Sequence, residues 1–405
     1  MTTQDFDIVI AGGGMVGAAL ACALGDSTLS VALVEGTPLE RIRPAAALDL
    51  RVSAISRASQ RIIEAVGAWQ HISDDRVGPF RQMEVWDAGG DGSIQFDSAA
   101  LGEPSLGWII ENRVLQTALL DQAHTFANIT LFCPAALTMA DTGESGLQLR
   151  LADGRELRTR LLVGADGAQS KVRQWAGIAV DGWSYEQKAV VSIVDTVQPH
   201  QETARQRFLP TGPLAFLPLH DGRCGIVWST LPERADYLLS IDEETFAVEL
   251  AEAFEWRLGK VTSVGPRASF PLRLQHAQAY VKPHFALIGD AAHVVHPLAG
   301  QGVNLGLLDA AVLAEVLLEA AAQKRIIGAV KTLRRYERWR KGENVLMLGA
   351  LDVCKRLFDS PFSPVMWLRN TGLNVTNAFS PVKNLLARRA MGLAGDLPKL
   401  AKARR

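Results

Sequence analysis

Apolar residues in this chain gather in three short runs that stop abruptly at glycine or aspartate. The first, Phe6 to Ala11 (FDIVIA), leads into GGGMVG. The second closes the segment ELRTRLLVGADG, and the third, FALI from Phe285, leads into Gly289-Asp290. Runs this short, bounded by small residues, predict buried strands of a parallel sheet. After the first run, MVGAALACAL predicts a helix over about Met15–Leu24, and SVALVE predicts the next strand, ending at Glu35. LQLRL and ELRTRLLV flank Asp153-Gly154 and predict a hairpin.

Elsewhere the pattern changes to period two. RQMEVWDAGGDGSIQFD and the stretch from KAVVSIVDT to GIVWST alternate between Gly and Pro turns, which predicts an antiparallel sheet. Phe216 and Trp228 fall on neighbouring strands of it, as pocket lining or as core. The C-terminal part, from about Val345, reads as helical, and SPVKNLLARRAMGL places Val382, Leu385, Leu386 and Leu393 near one face. A cofactor domain is therefore expected from three separated segments, 1–75, 106–180 and 280–345. An inserted substrate domain is expected from 76–105 and 181–279, and a basic helical region from 346–405.

Gly12, Gly14 and Gly17 match G-x-G-x-x-G between a strand and a helix. The first allows a tight turn, the second close approach of a pyrophosphate, the third close helix–strand packing. Glu35 stands where a carboxylate accepts hydrogen bonds from an adenosine ribose. That arrangement predicts a dinucleotide and does not separate NAD from FAD. Asp166, in GADG, follows a buried strand on the same sheet edge, before a helix opened by Ser170. In GDAAHVVHPLAGQGVNLG, Asp290 follows another strand, and glycines precede a long apolar helix whose free amides can hold an anion. His293 and His296 are three apart in a loop with no third ligand type nearby, so no metal site is expected.

The bulk numbers add one feature. The 405 residues carry a formal net charge of -1, which gives no global reason to expect nucleic acid. From Gln323 onward, however, there are 18 Lys/Arg against 5 Asp/Glu, on a body that is correspondingly acidic. A basic end of this kind suits an anionic surface, a partner protein or a second subunit. Four dispersed cysteines without a CxxC pair suit a reducing compartment. No signal peptide or membrane span is expected from the hydropathy pattern.

The three motifs in order, Gly12/Gly14/Gly17, GADG at Gly164–Gly167 and GDAAH at Gly289–His293, resemble those of the FAD-dependent aromatic hydroxylases of the para-hydroxybenzoate hydroxylase type. Within that class the chain looks most like the ubiquinone-biosynthesis hydroxylases. The residues that carry this likeness are LRVSAIS, ENRVLQTAL, LAFLPL, HPLAGQGVNLG, RRYERWR and RRAMGL. The resemblance implies an α/β (α+β) fold: a Rossmann-like FAD-binding domain, an inserted antiparallel-sheet substrate domain and a helical C-terminal region. It implies that Asp290 binds the ribityl chain of FAD and that the Gly300–Asn304 amides face the flavin pyrimidine edge. It adds Arg51, Arg113, Gln116, Pro297, Gln301 and Gly302 to the cofactor contacts, and His296 to the substrate side.

The reaction so implied is hydroxylation of a polyprenylated phenol or benzoquinol ring through a flavin C4a-hydroperoxide. O₂ is the co-substrate, and NAD(P)H or a separate reductase supplies electrons. The tail looks most like the branch that acts at the first unmodified ring position. A cytoplasmic protein is expected, peripheral on the inner face of a bacterial membrane or in an assembly or homo-oligomer. No catalytic residue is assigned. A flavin reductase or oxidase of the same fold, or a non-catalytic prenyl-binding flavoprotein, remains an alternative.

Overall fold

The computed structural model describes residues 3–38, 48–143, 146–295, 300–360 and 362–403. Gln4–Ala11 lies inside an eight-stranded sheet, with Val31–Val34 and Ile129–Phe132 on one side. Glu156–Gly164, Phe285–Leu287 and Val281–Lys282 continue it on the other. Pairing is parallel from Ile129–Phe132 across to Phe285–Leu287. Ile8, Val9 and Ile10 are fully buried, as are Leu161 to Val163. This is why these strands read as unbroken apolar runs. The register aligns the strand ends: Ala11 pairs with Val34 and Gly164, and Gly164 pairs with Leu287. The loops carrying Gly12, Glu35, Asp166 and Asp290 therefore leave the sheet along one edge.

Helix Met15–Ala23 packs against Asn112–Ala123 and Gln301–Ala322. The last of these is apolar nearly all round because it is buried nearly all round. A small antiparallel sheet, Val52–Ser56, Gly107–Glu111 and Val77–Phe80, stands beside the helix start. The predicted hairpin forms with Arg150 paired to Glu156.

The second large sheet has nine strands, drawn from residues 82–97, 180–277 and His293–Val294. The sequence predicted it as antiparallel throughout, and one pair departs from that: Thr203–Leu209 runs parallel to Gln82–Asp87. Those strands come from two separate chain excursions, so no hairpin constrains their relative direction. Helices Pro232–Ser240 and Glu243–Ala253 supply Leu238, Phe246 and Leu250 to the core on one face of this sheet. At the C-terminal end, the helix Val330–Asp359 runs through the expected boundary at 345/346 and is followed by Ser363–Ala378 and Ser380–Ala390. Both of these open with a proline in the first turn, where its missing N–H costs nothing.

Candidate flavin and substrate site

A cavity of about 430 Å³ joins the strand-end edge of the parallel sheet to one face of the nine-stranded sheet. On the edge side it is bounded by Gly14, Arg51, Ala165, Gly167, Asp290, Gly300 and Gly302. Gly12 has φ +103°, and a Cβ there would lie 2.3 Å from the carbonyl oxygen of Ala165. At Gly17 a Cβ would lie 2.0 Å from the Gly12 oxygen, so helix and turn touch backbone to backbone. Gly14 is different: nothing stands within 4 Å of where its Cβ would be. That open side, at the N-terminus of Met15–Ala23, is the space the pyrophosphate of a dinucleotide needs.

Glu35 is tied in place by two backbone donors, Gly13 N at 2.7 Å and Thr37 N at 2.7 Å. A carboxylate has about four acceptor positions, so it keeps capacity for ribose hydroxyls. Gln116 donates from Nε2 to the Gly13 carbonyl at 2.9 Å, bracing the glycine loop from helix Asn112–Ala123. Arg113 stands 3.9 Å from Asp49, with its side chain half exposed. Arg51 reaches the cavity and lies close enough to Asp290 for their charges to interact.

Asp166 accepts from Lys171 N (2.8 Å) and Val172 N (3.1 Å), pinning the start of helix Lys171–Trp175, which Ser170 also caps. Its other oxygen, Oδ1, is buried with no hydrogen-bond partner among the described residues. A buried acceptor left single in this way fits a donor from a bound cofactor. Arg173 ties this loop to the next by donating to the carbonyls of Ala168 and Ala291.

Asp290 and Asp309 form two levels of the same corner. Asp290 is accessible in the cleft though protein surrounds it on most sides. Desolvation holds its carboxyl above the ordinary value, partly offset by His293 and Arg51. Asp309, on helix Gln301–Ala322, is wholly buried beneath it. Burial alone would raise its pKa, but the His293 and Arg340 charges and their hydrogen bonds outweigh burial and take it down to about 2. Its Oδ2 meets His293 Nε2 at 2.5 Å and Gly289 N at 3.2 Å. Its Oδ1 accepts from Arg340 Nε at 2.8 Å and Asn344 Nδ2 at 3.1 Å. The carboxylate thus binds the Gly-Asp turn to the long C-terminal helix, and His293 serves as one of its clamps. Sequence reasoning missed Asp309, Arg340 and Asn344. The available signal was Asp309 itself, the first of three carboxylates in a mostly apolar helix and the one set directly between Leu308 and Ala310.

The helix Gln301–Ala322 begins at Gly300, whose φ of +61° turns the chain into it. Its first-turn amides have no carbonyl within the helix to bond, and Gly300, Gly302 and Val303 border the cavity. Asn304 does not offer its side chain to that space. Its Oδ1 accepts from Ser56 N, and its Nδ2 donates to Ala54 O and Gly300 O. The side chain thus knots the helix start to the small sheet, and the contact expected at this residue is one for its backbone amide. Gln301 sends its side chain toward the Ala390 carbonyl, at 3.4 Å. His296 and Pro297 lie outside the described residues.

The substrate residues need correction. Phe216 and Trp228 sit on the opposite face of the nine-stranded sheet from the cavity, 2% and 3% exposed. Phe216 stacks on Phe254 at 3.9 Å, and Trp228 approaches Phe246 at 6.4 Å. Their neighbours Ala215, Leu217, Val227 and Ser229 line the cavity instead, with Val191 and Phe270. Side chains alternate along a strand, so the pocket lies one residue away from each aromatic.

Residues 5–342 match the family model described as FAD binding domain. Ubiquinone hydroxylase UbiL of Rhodospirillum rubrum is 39% identical over 97% of this chain and 92% of its own length. The 3-demethoxyubiquinol 3-hydroxylase of Escherichia coli is 37% identical over 97% of this chain and 100% of its own. The solved structure of P. aeruginosa PqsL in complex with 2-aminobenzoylacetate has a TM-score of 0.75 at 25% identity, covering 92% of this chain and 100% of that one. A family match over most of the sequence, joined to hydroxylases aligned along nearly their full length, makes this chain a member of the FAD-binding-domain family of flavin-dependent hydroxylases, and so an FAD-dependent oxidoreductase.

Proposed function

We propose that the chain hydroxylates the aromatic ring of a polyprenylated phenol or benzoquinol intermediate of ubiquinone biosynthesis, with O₂ as co-substrate and NAD(P)H or a separate reductase as electron source. The observation that carries this reading is the continuous cavity between the cofactor edge and an apolar sheet face. FAD would be held by the Gly12–Gly14 turn at its pyrophosphate, Glu35 at its ribose, Asp290 at its ribityl chain and the Gly300–Gly302 amides at its pyrimidine edge. Bound there, it supplies the activation of oxygen that no protein side chain provides.

The chain's own part is placement, exclusion of water and electrostatics. Val191, Leu217, Val227 and Phe270 offer an apolar wall that keeps water from the reacting atoms. Ala204 and Ala215 leave depth for a planar ring. Gln206 and Ser229, both buried in that wall, provide polar groups to orient ring oxygens. The amides and dipole at the start of Gln301–Ala322 favour negative charge developing at the edge they face.

The test is expression in bacteria lacking single ubiquinone-pathway hydroxylases, with mass spectrometry of the quinone pool. Restored ubiquinone in one strain is the expected result and identifies the ring position. Flavin-loaded protein that leaves every strain with its original intermediate would overturn the substrate assignment. In vitro, oxygen consumption should match hydroxylated product. Hydrogen peroxide formed in its place, with substrate present, would make the protein an oxidase.

A further inference from the structure

The last two long helices are amphipathic the wrong way round for a water-facing surface. On Ser363–Ala378 the polar side is turned inward. Asn370, Asn374 and Asn377 accept hydrogen bonds from the backbone N–H groups of Gly92, Ser93 and Gln95, at 2.6, 3.0 and 3.2 Å. They run along the outer strand of the nine-stranded sheet. Arg369 is buried beside Asn370, paired to Asp87 at 2.6 Å, and also donates to the carbonyls of Leu357, Phe358 and Ser360. Glycines make room for this docking: a Cβ at Gly92 would stand 2.5 Å from Asn370 Oδ1, and at Gly89 2.6 Å from Arg369 Nη2.

The same helix leaves Trp367, Leu368 and Val375 outward, 69%, 60% and 61% exposed. Ser380–Ala390 repeats the arrangement with Val382, Leu385 and Leu386, while Phe362 and Phe379 stand exposed at the helix starts. Leu393, grouped with these by the sequence pattern, lies beyond the helix end and packs inward beside Met391. Water is a poor partner for so many adjoining large apolar groups, and such a patch marks an interaction surface.

We infer that this face docks on an anionic lipid surface. From Ser360 to Gly395 the chain has no Asp or Glu, and it carries Lys383, Arg388 and Arg389. Arg389 lies on the apolar side of its helix, where its one ion pair among the described residues is an exposed one with Glu343 at 3.6 Å, which an anionic headgroup can displace at little cost. Exposed Trp and Phe beside cations, on a stretch with no carboxylate of its own, are the composition that settles at a bilayer interface. The inner side of the hairpin reaches the site. Ala387 and Met391 pack with Phe80 and Met83, and these two also border the cavity. A prenyl tail could pass between lipid and cavity across one layer of side chains. The choice of lipid over a second protein rests on the proposed polyprenylated substrate.

The test is sedimentation of the flavin-loaded full chain with vesicles of phosphatidylcholine, with and without phosphatidylglycerol. Binding is read without turnover, so its failure is separate from failure of the substrate assignment. Wild type should co-sediment with the anionic vesicles and be released by salt. Trp367→Ser/Leu368→Ser and Leu385→Ser/Leu386→Ser should each weaken partition by about tenfold or more, with flavin content and Tm unchanged because these positions are exposed. Wild type that stays in the supernatant with both vesicles, or variants that bind equally well, would overturn the proposal. An oligomer that these variants break into monomers would assign the face to a second copy instead.

Discussion

The two large sheets present their functional groups in different ways. In the parallel sheet the groups stand beyond the strand ends, each fixed by its own turn: Glu35 by Gly13, Asp166 by Lys171, and the Gly289 turn by Asp309. In the nine-stranded sheet they stand on a face, where the cavity and the core use alternate residues of the same strands. A shift of one residue at an edge displaces a ligand contact. The same shift on a face exchanges Ala215 and Leu217 for Phe216 and closes the pocket. Cofactor binding and substrate choice are therefore separable: the first depends on turns, the second on register.

The sharpest way to break this separation is at Asp309. Asp309→Asn should cost about 3–5 kcal/mol, because Arg340 is left buried without its carboxylate, and denaturant unfolding would measure it. FAD should be lost as well, since the Gly289 turn loosens. The wild-type carboxyl titrates near 2 in the fold, below its ordinary ~3.9. Its contribution is therefore complete at neutral pH and fades only as pH falls from about 4 toward 2.

On the face, Phe216→Ala should cost ~3–5 kcal/mol by emptying the core behind the sheet. Its Tm should fall steeply while FAD affinity, measured below that Tm, holds. Asp290→Ala should do the reverse. FAD affinity, by flavin fluorescence titration, should drop about tenfold or more, the usual scale for losing a charge-assisted hydrogen bond. The stability of the apoprotein should hold or rise at neutral pH, because a carboxyl with a raised pKa is a cost there. Asp290→Ala protein that keeps its full flavin content would remove the cofactor role given to this turn. The smallest change is Val227→Phe, which projects into the cavity: stability should move by under about 1 kcal/mol while KM for the ring substrate rises.

How much of this was readable in the chain follows the same division. The Gly12, Gly14 and Gly17 pattern, Glu35 and Asp290 could be placed because a turn is written in consecutive residues. Phe216 and Trp228 misled because GPLAFLP and CGIVWST are buried on both faces, so no polar alternation marks which side is open. Asn304 and Gln301 were rightly placed near the helix start. Their side-chain partners, Ser56 and Ala390, are distant in sequence and left no local trace. Arg340 was visible only as one cation in a basic helix, and Arg369 gave no hint of Asp87, 282 positions earlier.

The row of asparagines on Ser363–Ala378 has a consequence of its own. The strand Ser93–Asp97 is the last of its sheet, and uncovered backbone amides there would template pairing with another chain. Asn370, Asn374 and Asn377 occupy those donors with side chains that cannot propagate a ladder. A chain cut short before Ser360 would bare that strand and also lose the Ala387 and Met391 packing behind Phe80 and Met83, and we expect it to form β-rich aggregates. The helix Ser363–Ala378 is in this sense a built-in chaperone for the substrate sheet.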